Sequence, residues 1–450
     1  MRVIVLSVFL AGTVLAEFTA LDFLLKSPAM KPASIGVFVT PLDEDESVLE
    51  WRADKALIPA STMKAVTTAT ALQVLGPEFS FETKLYQKGN DLVVKGGGDP
   101  TLGATGADGA FASWLPAMTK SGIVEIEDLL IDPSCFEEHR TPNDWPSGDV
   151  GNYYGAGTSG ANYHLNSFAV TFRTGAVGSP ARVTGVFPKP PGVEFVNHMR
   201  TGSANSGDQG YVYGNPGARL LTLRGTVPAR GRFTIKGALP DPPLMLGTAL
   251  KGFLEGKGIQ VNGEVKVGPV DLAGLEALHS SNSPSLLRII NGTNHRSVNL
   301  YADSIFKALT PSGTTQASVA KVMSHWLKQG VDLTGFVMHD GSGLSPRGVI
   351  SPRQLGMILK KAREHKTGPA FIETLPLAGR SGTLVGFGKG TSIEGVLRAK
   401  SGGMTGVRAY AGYLTGKSGR DYVFAVMVNN SVGSPTGELA RFLAALRNES

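Results

Sequence analysis

The chain has 450 residues, of which 42% are hydrophobic and 18% are charged. This length exceeds what one hydrophobic core usually serves, so two or more domains are expected, and the dispersed Gly and Pro residues exclude a fibrous chain. The net charge of +6 is modest, and without zinc-finger spacing or basic runs with interleaved aromatic residues it gives no indication of a nucleic-acid partner.

The amino terminus has the pattern of an export signal. Met1 and Arg2 precede an apolar run over residues 3–15. The small residue Ala16 follows the run, directly before Glu17. This predicts a secretory signal peptide over residues 1–16, and hence an exported protein that is periplasmic or secreted. The run is too short to span a bilayer easily, and since no other long apolar stretch follows, no stable membrane span is expected. An uncleaved anchor or a first core strand is the alternative interpretation.

After the signal, residues 34–39 and 47–51 predict two strands joined by an acidic turn. This hairpin leads to Ser61 and to a helical run over residues 65–75.

The middle of the chain, residues 76–283, is rich in Gly, Pro and short β-like runs. It is expected to be an insertion of one or two β-rich modules. Its predicted strands lie at 91–95, 168–173, 219–223 and 232–235.

The last third returns to a helical pattern and ends in a second hairpin. An antiparallel sheet made from both chain ends and covered by helices would give an α+β main domain, discontinuous over residues 17–75 and 284–450. The predicted helices are 286–290, 300–309, 318–328, 354–363 and 436–446, and the predicted strands are 407–414 and 422–428.

The first motif with chemical meaning is Ser61-Thr62-Met63-Lys64 at the start of a predicted helix. Residues three apart share a helix face, so a serine hydroxyl would lie beside an amine that can take its proton once burial lowers the pKa of that amine. Alone, the pattern is weak, because Ser and Thr also cap helices and an exposed lysine is common.

Two later segments strengthen this interpretation. Ser297-Val298-Asn299 precedes a predicted helix, and Lys400-Ser401-Gly402 precedes a predicted strand. The ordered trio Ser-x-x-Lys, Ser-x-Asn and Lys-Thr-Gly is typical of serine acyltransferases that bind penicillin, and here Ser401 stands at the threonine position.

With these motifs the sequence resembles the D-alanyl-D-alanine carboxypeptidase/endopeptidase family of penicillin-binding proteins, which carries a large insertion between its first two motifs. Segments 98–102, 154–156, 340–345 and 411–413 extend the resemblance over nearly the whole mature chain. It implies a penicillin-binding-protein/β-lactamase-like transpeptidase domain that acts on peptidoglycan peptides. It also implies β-lactam antibiotics as covalent inhibitors.

An acyl transfer assigns roles to the motif residues. Ser61 is the expected nucleophile and Lys64 its base, while Ser297 relays a proton to the leaving amine. Asn299 can hydrogen-bond the substrate amide and Lys64, and the charge of Lys400 keeps Lys64 deprotonated. Structural interpretations remain for several of these residues, since Asn299 could cap a helix and Lys400 could end a strand.

The third motif is also expected to bind substrate. Ser401 can bond the terminal carboxylate, and the backbone N–H groups of Ser61 and Gly403 would form the oxyanion hole beside Gly402. The family usually has Lys-Thr-Gly-Ser here, so Gly403 lacks the fourth side chain. The family arginine after segment 340–345 is displaced by Pro346 to Arg347.

The resemblance further aligns Asp149 with a family aspartate that reads the ammonium group of a diaminopimelate side chain. Arg347 could hold the carboxylate of the same centre. The alternative is that Asp149 is a turn aspartate that caps its own loop.

Two other functions remain open from the sequence. A serine β-lactamase shares the acylation chemistry, although no segment clearly supplies a deacylating glutamate, and a non-catalytic cell-wall-binding protein would not need all three motifs. No cofactor or metal is expected, since the histidines show no metal-site spacing, and Cys135 is expected to be a buried structural thiol. The sequence leaves the oligomeric state open.

Overall fold

The computed structural model describes residues 19–450, so the predicted signal peptide lies outside the described residues. The chain forms two units. Unit 1 contains the described residues up to Gly76, together with Ile290–Ser297 and Val322–Ser450, and unit 2 contains Pro77–Ile289 and Val298–Lys321.

Helices and strands are interspersed along the whole of this described range. The α-helices are α1 (Thr19–Lys26), α2 (Met63–Val74), α3 (Ala107–Phe111), α4 (Leu115–Lys120), α5 (Ser147–Val150), α6 (Pro242–Gly256), α7 (Leu286–Arg296), α8 (Asn299–Lys307), α9 (Thr315–Lys328), α10 (Pro352–Glu364), α11 (Gly368–Glu373) and α12 (Thr436–Glu449). The strands are β1 (Ser34–Pro41), β2 (Leu49–Trp51), β3 (Glu82–Lys88), β4 (Asp91–Lys95), β5 (Glu125–Ile126), β6 (Leu129–Asp132), β7 (Ser167–Arg173), β8 (Arg182–Phe187), β9 (Glu194–Gly202), β10 (Gln209–Tyr213), β11 (Leu220–Pro228), β12 (Arg232–Ala238), β13 (Gln260–Val261), β14 (Val265–Val267), β15 (His279–Asn282), β16 (Arg398–Met404), β17 (Val407–Thr415) and β18 (Asp421–Asn429).

Unit 1 is built on an antiparallel five-stranded sheet in the order β16-β17-β18-β1-β2. Strand β1 pairs with β18, with Ser34 opposite Asn429, so the two ends of the chain meet in the middle of the sheet. The predicted α+β architecture, with a sheet drawn from both chain ends, is confirmed. The strands predicted at 34–39, 47–51, 407–414 and 422–428 correspond to β1, β2, β17 and β18.

Helices cover both faces of this sheet, which explains why its central strands are apolar on both sides. On one face, α10 lies against the sheet, and the hydroxyl of Tyr413 donates to the carbonyl of Leu359 at 2.8 Å. On the other face, Val37 and Val426 pack in one core with Leu443 of α12.

Strand β16 was not predicted. The Lys400 motif lies inside it, whereas the sequence pattern indicated only the following strand, β17. Two consecutive glycines, Gly402 and Gly403, remove the side chains that would have indicated a strand.

Unit 2 is rich in short strands, as expected for the inserted region. It has a mixed five-stranded sheet in the order β14-β6-β4-β3-β15, two three-stranded sheets (β12-β7-β8 and β10-β11-β9) and the pair β13-β5. Helix α6 packs closely on the mixed sheet: a Cβ built at Gly247 of this helix would lie only 2.3 Å from Val265 Cγ1 of β14. One hydrophobic core, containing Phe168, Leu223 and Leu250, connects these elements.

The unit boundaries differ from the expected domain boundaries by a few residues near positions 76 and 284–289, and more substantially in one later segment. Residues 298–321, which contain α8, group with unit 2, whereas the sequence pattern placed them in the main domain. Polar contacts join this segment to the rest of unit 2: Ser304 Oγ lies 2.5 Å from Thr158 Oγ1, and Lys307 pairs with Glu137 at 3.0 Å.

Along residues 19–450, no helix is both long and apolar enough to cross a membrane.

Candidate active site

Ser61 lies in a strained turn directly before α2. A 3-10 turn over Ala60–Thr62 precedes the helix, and Ala60 has a φ of +47°, which a residue with a Cβ rarely adopts. The hydroxyl of Thr62 donates to the carbonyl of Pro59 at 2.8 Å and closes the turn. Backbone strain of this kind concentrates at functional sites, where the surrounding structure holds it.

Lys64 is fully buried and contacts the serine predicted as nucleophile. Its Nζ lies 2.9 Å from Ser61 Oγ and donates to the carbonyl of Ser342 at 2.6 Å. The structure therefore brings together the two residues of the first motif, although Ser61 lies in the 3-10 turn and only Lys64 lies in the helix.

A turn that begins at Asp340 presents the Ser342 carbonyl. The buried carboxylate of Asp340 accepts hydrogen bonds from the backbone N–H groups of Gly343, at 2.5 Å, and Ser345, at 2.7 Å. Thr67 adds a second contact with α2 by donating to the carbonyl of Gly341 at 2.7 Å. This turn orients the Lys64 amine, a role that the sequence pattern did not reveal for segment 340–345.

Lys400 on β16 is also fully buried and contacts the second motif. Its Nζ donates to Ser297 Oγ at 3.0 Å and to the carbonyl of Ser401 at 2.7 Å. Burial, and then the nearby charge of Lys64, hold the pKa of Lys400 well below its ordinary value. Ser297 itself has a φ of +57° in the connection between α7 and α8, so its position is also backbone-strained.

Close backbone approach explains Gly402. A Cβ at this position would lie 2.4 Å from the carbonyl oxygen of Pro59 and 3.1 Å from the nitrogen of Ser61. Only glycine lets β16 lie so close to the Ser61 turn. Gly403 follows on the same strand and is exposed.

Two predicted substrate-binding residues lie at the surface of unit 1. The Ser401 hydroxyl donates to Thr383 Oγ1 at 2.7 Å. Arg347 is exposed, its backbone N–H donates to Ser345 Oγ at 3.1 Å, and its guanidinium has no carboxylate partner within residues 19–450.

Asn299 and Asp149 are connected within unit 2. The side-chain amide of Asn299 donates to the carbonyl of Tyr154 at 2.6 Å, and the hydroxyl of Tyr154 donates to Asp149 Oδ1 at 3.0 Å. Burial and the charge of Asp149 raise the pKa of Tyr154, so the hydroxyl keeps its proton and remains a donor.

The structure thus brings the predicted site residues together in two groups. In unit 1, Ser61, Lys64 and the Lys400–Ser297 pair cluster where Gly402 meets the Ser61 turn. Unit 2 holds Asn299 and Asp149. Sequence reasoning missed the Ser342 carbonyl and the Tyr154 link, although both lie in segments that carried the family resemblance.

Comparison with known proteins identifies the family. The profile of the D-Ala-D-Ala carboxypeptidase 3 (S13) family matches residues 18–444. A D-alanyl-D-alanine carboxypeptidase of Actinomadura sp. (strain R39) is 30% identical over 442 residues, which cover 92% of this chain and 81% of that protein. The D-alanyl-D-alanine carboxypeptidase DacB of Haemophilus influenzae is 27% identical over 467 residues, covering 96% of this chain and 92% of that protein.

Solved structures support the fold. Penicillin-binding protein 4 of H. influenzae superposes with a TM-score of 0.84 at 24% identity, covering 96% of this chain and 98% of that chain. The same protein complexed with a β-lactam superposes with a TM-score of 0.79. The predicted penicillin-binding-protein-like α+β fold is thereby confirmed. By its match over nearly the whole length, this chain belongs to the D-Ala-D-Ala carboxypeptidase 3 (S13) family of serine peptidases.

Proposed function

We propose that this enzyme hydrolyses D-alanyl peptide bonds of peptidoglycan stem peptides through a covalent acyl-enzyme on Ser61. The bond cleaved is D-Ala-D-Ala, the D-alanyl-diaminopimelate cross-link, or both. The observation that carries the proposal is the 2.9 Å contact between Ser61 Oγ and the buried Nζ of Lys64. β-Lactam antibiotics acylate the same serine, as the β-lactam complex of the H. influenzae neighbour supports.

Acylation begins with proton transfer from Ser61 to Lys64. A neutral amine has one lone pair, which accepts the Ser61 proton, while its N–H groups donate to the Ser342 carbonyl at 2.6 Å. Oγ of Ser61 then bonds to the scissile carbonyl carbon. The helix α2, which begins at Met63, adds the positive end of its dipole to this developing negative charge.

Lys64 and Lys400 share one positive charge in this mechanism. Both amines are fully buried, and the charge of Lys64 disfavours the charge of Lys400. Two ammonium groups in such a place are costly, so one proton between them is the favoured state. The mechanism requires this proton to lie on Lys400 when acylation begins, where the amine donates to Ser297 and to the carbonyl of Ser401, so that Lys64 is free to act as the base.

The leaving amine receives its proton through Ser297. As the C–N bond breaks, the Ser297 hydroxyl gives its proton to the amine and takes one from Lys400, which donates to it at 3.0 Å. The charge has then moved from Lys400 to Lys64, and the total is unchanged. In deacylation, water attacks the ester and its proton returns to Lys400 through Ser297, while Lys64 returns its proton to Ser61.

The oxyanion is stabilised by backbone N–H groups. Those of Ser61 and Gly403 are the proposed donors, and the close approach at Gly402 supports this assignment, because a Cβ there would lie 3.1 Å from the Ser61 nitrogen. Ser401 donates its hydroxyl to the carboxylate of the leaving residue.

Asp149 is proposed to bind the ammonium group of a diaminopimelate side chain, and Asn299 the substrate amide. The hydrogen bonds that connect Asn299, Tyr154 and Asp149 support this assignment, because the Asp149 loop is attached to the residue that completes the Ser-x-Asn motif. Arg347 is proposed to bind the carboxylate of the same diaminopimelate centre, and its exposed guanidinium is compatible with that role.

The site of action is proposed to lie outside the cytoplasm. Residues 1–16 have the sequence pattern of a cleaved signal peptide, and peptidoglycan is an extracytoplasmic substrate. Unit 1 is then the catalytic domain, and the β-rich region between the first two motifs is its insertion.

Two experiments test the proposal. Labelled penicillin should add its mass to the wild-type protein and fail to add it to Ser61→Ala, and a label retained by that variant would contradict the assignment of the nucleophile. Digestion of purified peptidoglycan, followed by mass spectrometry, should release terminal D-alanine, cleaved cross-links or both. If the acyl-enzyme instead turns over within seconds and intact peptidoglycan is untouched, the protein is a β-lactamase.

A further inference from the structure

Gly403 has no side chain, although it lies on β16, one of the two edge strands of the five-stranded sheet of unit 1. It pairs with Arg408 on the neighbouring strand β17. Directly paired residues of an antiparallel sheet project to the same face. The side chain of Arg408 therefore faces the place where a side chain at position 403 would stand.

The guanidinium of Arg408 fills this space. A Cβ at position 403 would lie 2.2 Å from Arg408 Nη1 and 2.8 Å from its Cζ. The side chain of Arg408 thus passes over the backbone of Gly403, across the edge strand. A side chain larger than hydrogen at 403 would force the guanidinium to move.

This guanidinium has hydrogen-bonding capacity to spare. Its Nε is buried and has no hydrogen-bond partner among the residues that the structure describes, and none of their carboxylates forms an ion pair with it. A buried guanidinium donor without an acceptor is costly, and a carboxylate that accepts two parallel bonds is its best partner.

We propose that Arg408 binds the carboxylate of the residue that leaves, together with the Ser401 hydroxyl. This inference rests on the proposed function, since it names the group that recognises the substrate's free carboxylate. Ser401 and Gly403 are two residues apart on one face of an extended strand, about 6.6 Å. A carboxylate that accepts a hydrogen bond of about 2.8 Å from each side fits between the Ser401 hydroxyl and the guanidinium.

Thr383 completes the arrangement on the Ser401 side. The Ser401 hydroxyl now donates to Thr383 Oγ1 at 2.7 Å. Because hydroxyl groups rotate, Thr383 can donate to Ser401 instead, and Ser401 then donates to the carboxylate. The missing fourth side chain of the third motif is thus replaced by an arginine from the adjacent strand.

The test compares two substrates that differ only in the group Arg408 is proposed to bind. One is an N-acylated D-Ala-D-Ala peptide with a free carboxylate, and the other is the same peptide as its terminal carboxamide. In the wild type, kcat/KM should be higher for the carboxylate. Arg408→Ala should reduce this preference about 10- to 100-fold, the range for hydrogen bonds to a charged group, and change the carboxamide rate little.

Three further variants sharpen the result. Arg441→Ala removes an exposed arginine of α12 that pairs with Glu438, so it matches the change in net charge and should keep the preference. Arg408→Lys should retain part of it. Gly403→Ser in the Arg408→Ala background supplies a hydroxyl at the fourth position of the motif and should restore part of the preference.

Equal losses for both peptides in Arg408→Ala, or a wild type that does not prefer the carboxylate, would overturn the proposal. Thermal unfolding identifies a variant that fails to fold, in which case Arg408→Lys provides the comparison. Failure of the proposed function is a separate outcome, because it would appear as labelling of the Ser61→Ala protein by penicillin.

Discussion

Gly343→Ala is expected to slow acylation of Ser61, whereas Gly335→Ala is expected to leave it unchanged. Both glycines have positive φ angles, +73° and +78°, so a methyl group costs each about 1–2 kcal/mol of backbone strain. The two sites differ in their surroundings. Nothing lies within 4 Å of a Cβ built at Gly335, whereas one at Gly343 would lie 2.0 Å from the carbonyl oxygen of Ala60.

The size of the effect follows from that distance. Real Cβ atoms essentially never approach another heavy atom closer than 3.0 Å, and 3.0 minus 2.0 leaves about 1 Å by which the Ala60 carbonyl must retreat. Ala60 directly precedes Ser61, the proposed nucleophile, so Ser61 moves with it. A misplacement of this size costs about 100-fold in rate.

The assay is the second-order rate constant for acylation by a fluorescent penicillin, with thermal unfolding measured in parallel. Gly335→Ala serves as the control for backbone strain alone. If Gly343→Ala acylates as fast as Gly335→Ala, the turn at Asp340 does not hold Ser61 in its reactive position.

Three other predictions concern single residues. Lys64→Arg keeps a positive charge but cannot give up its proton, so acylation should fall by roughly 10²–10⁴, and near-normal labelling in a rapid-mixing experiment would identify another base. Because the pKa of Lys400 lies well below its unfolded value of 10.5, the unfolded chain binds that proton more tightly, and the free energy of unfolding should rise with pH up to that value. Between the folded and unfolded pKa values of Lys400, the free energy of unfolding should rise by about 1.4 kcal/mol per pH unit. Lys400→Met should remove this pH dependence, and denaturant titrations at several pH values measure it. Asp149→Asn keeps an acceptor for Tyr154 but removes the charge, so cleavage of diaminopimelate peptides should fall while penicillin acylation stays; equal effects on both reactions would make Asp149 structural.

Local motifs were predictable from the sequence because their geometry is local. Ser61 and Lys64 are three residues apart across the start of α2, and this short spacing is enough to predict that their side chains lie close together. The apolar patterns of β1 and β18 likewise predict a buried central sheet, and the structure confirms it.

The unpredicted parts depend on contacts between distant segments. The Ser342 carbonyl that holds Lys64 belongs to the backbone, 278 residues further along the chain, so residue types carry little signal for it. Strand β16 was missed because Gly402 is required by the close approach to Pro59, and neither Gly402 nor Gly403 has a side chain that indicates a strand. The grouping of Asn299 with unit 2 rests on side-chain pairs such as Lys307–Glu137, which periodicity does not reveal.

The pairing of β1 with β18 has a consequence for the order in which the protein can fold. Ser34 meets Asn429, so the middle of the catalytic sheet must wait until almost the whole chain has left the ribosome. Until then β1 is an apolar segment without its main partner, and closing such a long loop slows the final step. Residues 77–289 are contiguous and have their own core, so they can fold before β1 and β2 have gained β18 as a pairing partner. Ser61 and Lys64, the proposed nucleophile and base, therefore acquire their sheet last. A chain that stops before β18 carries all three motifs without an assembled central sheet.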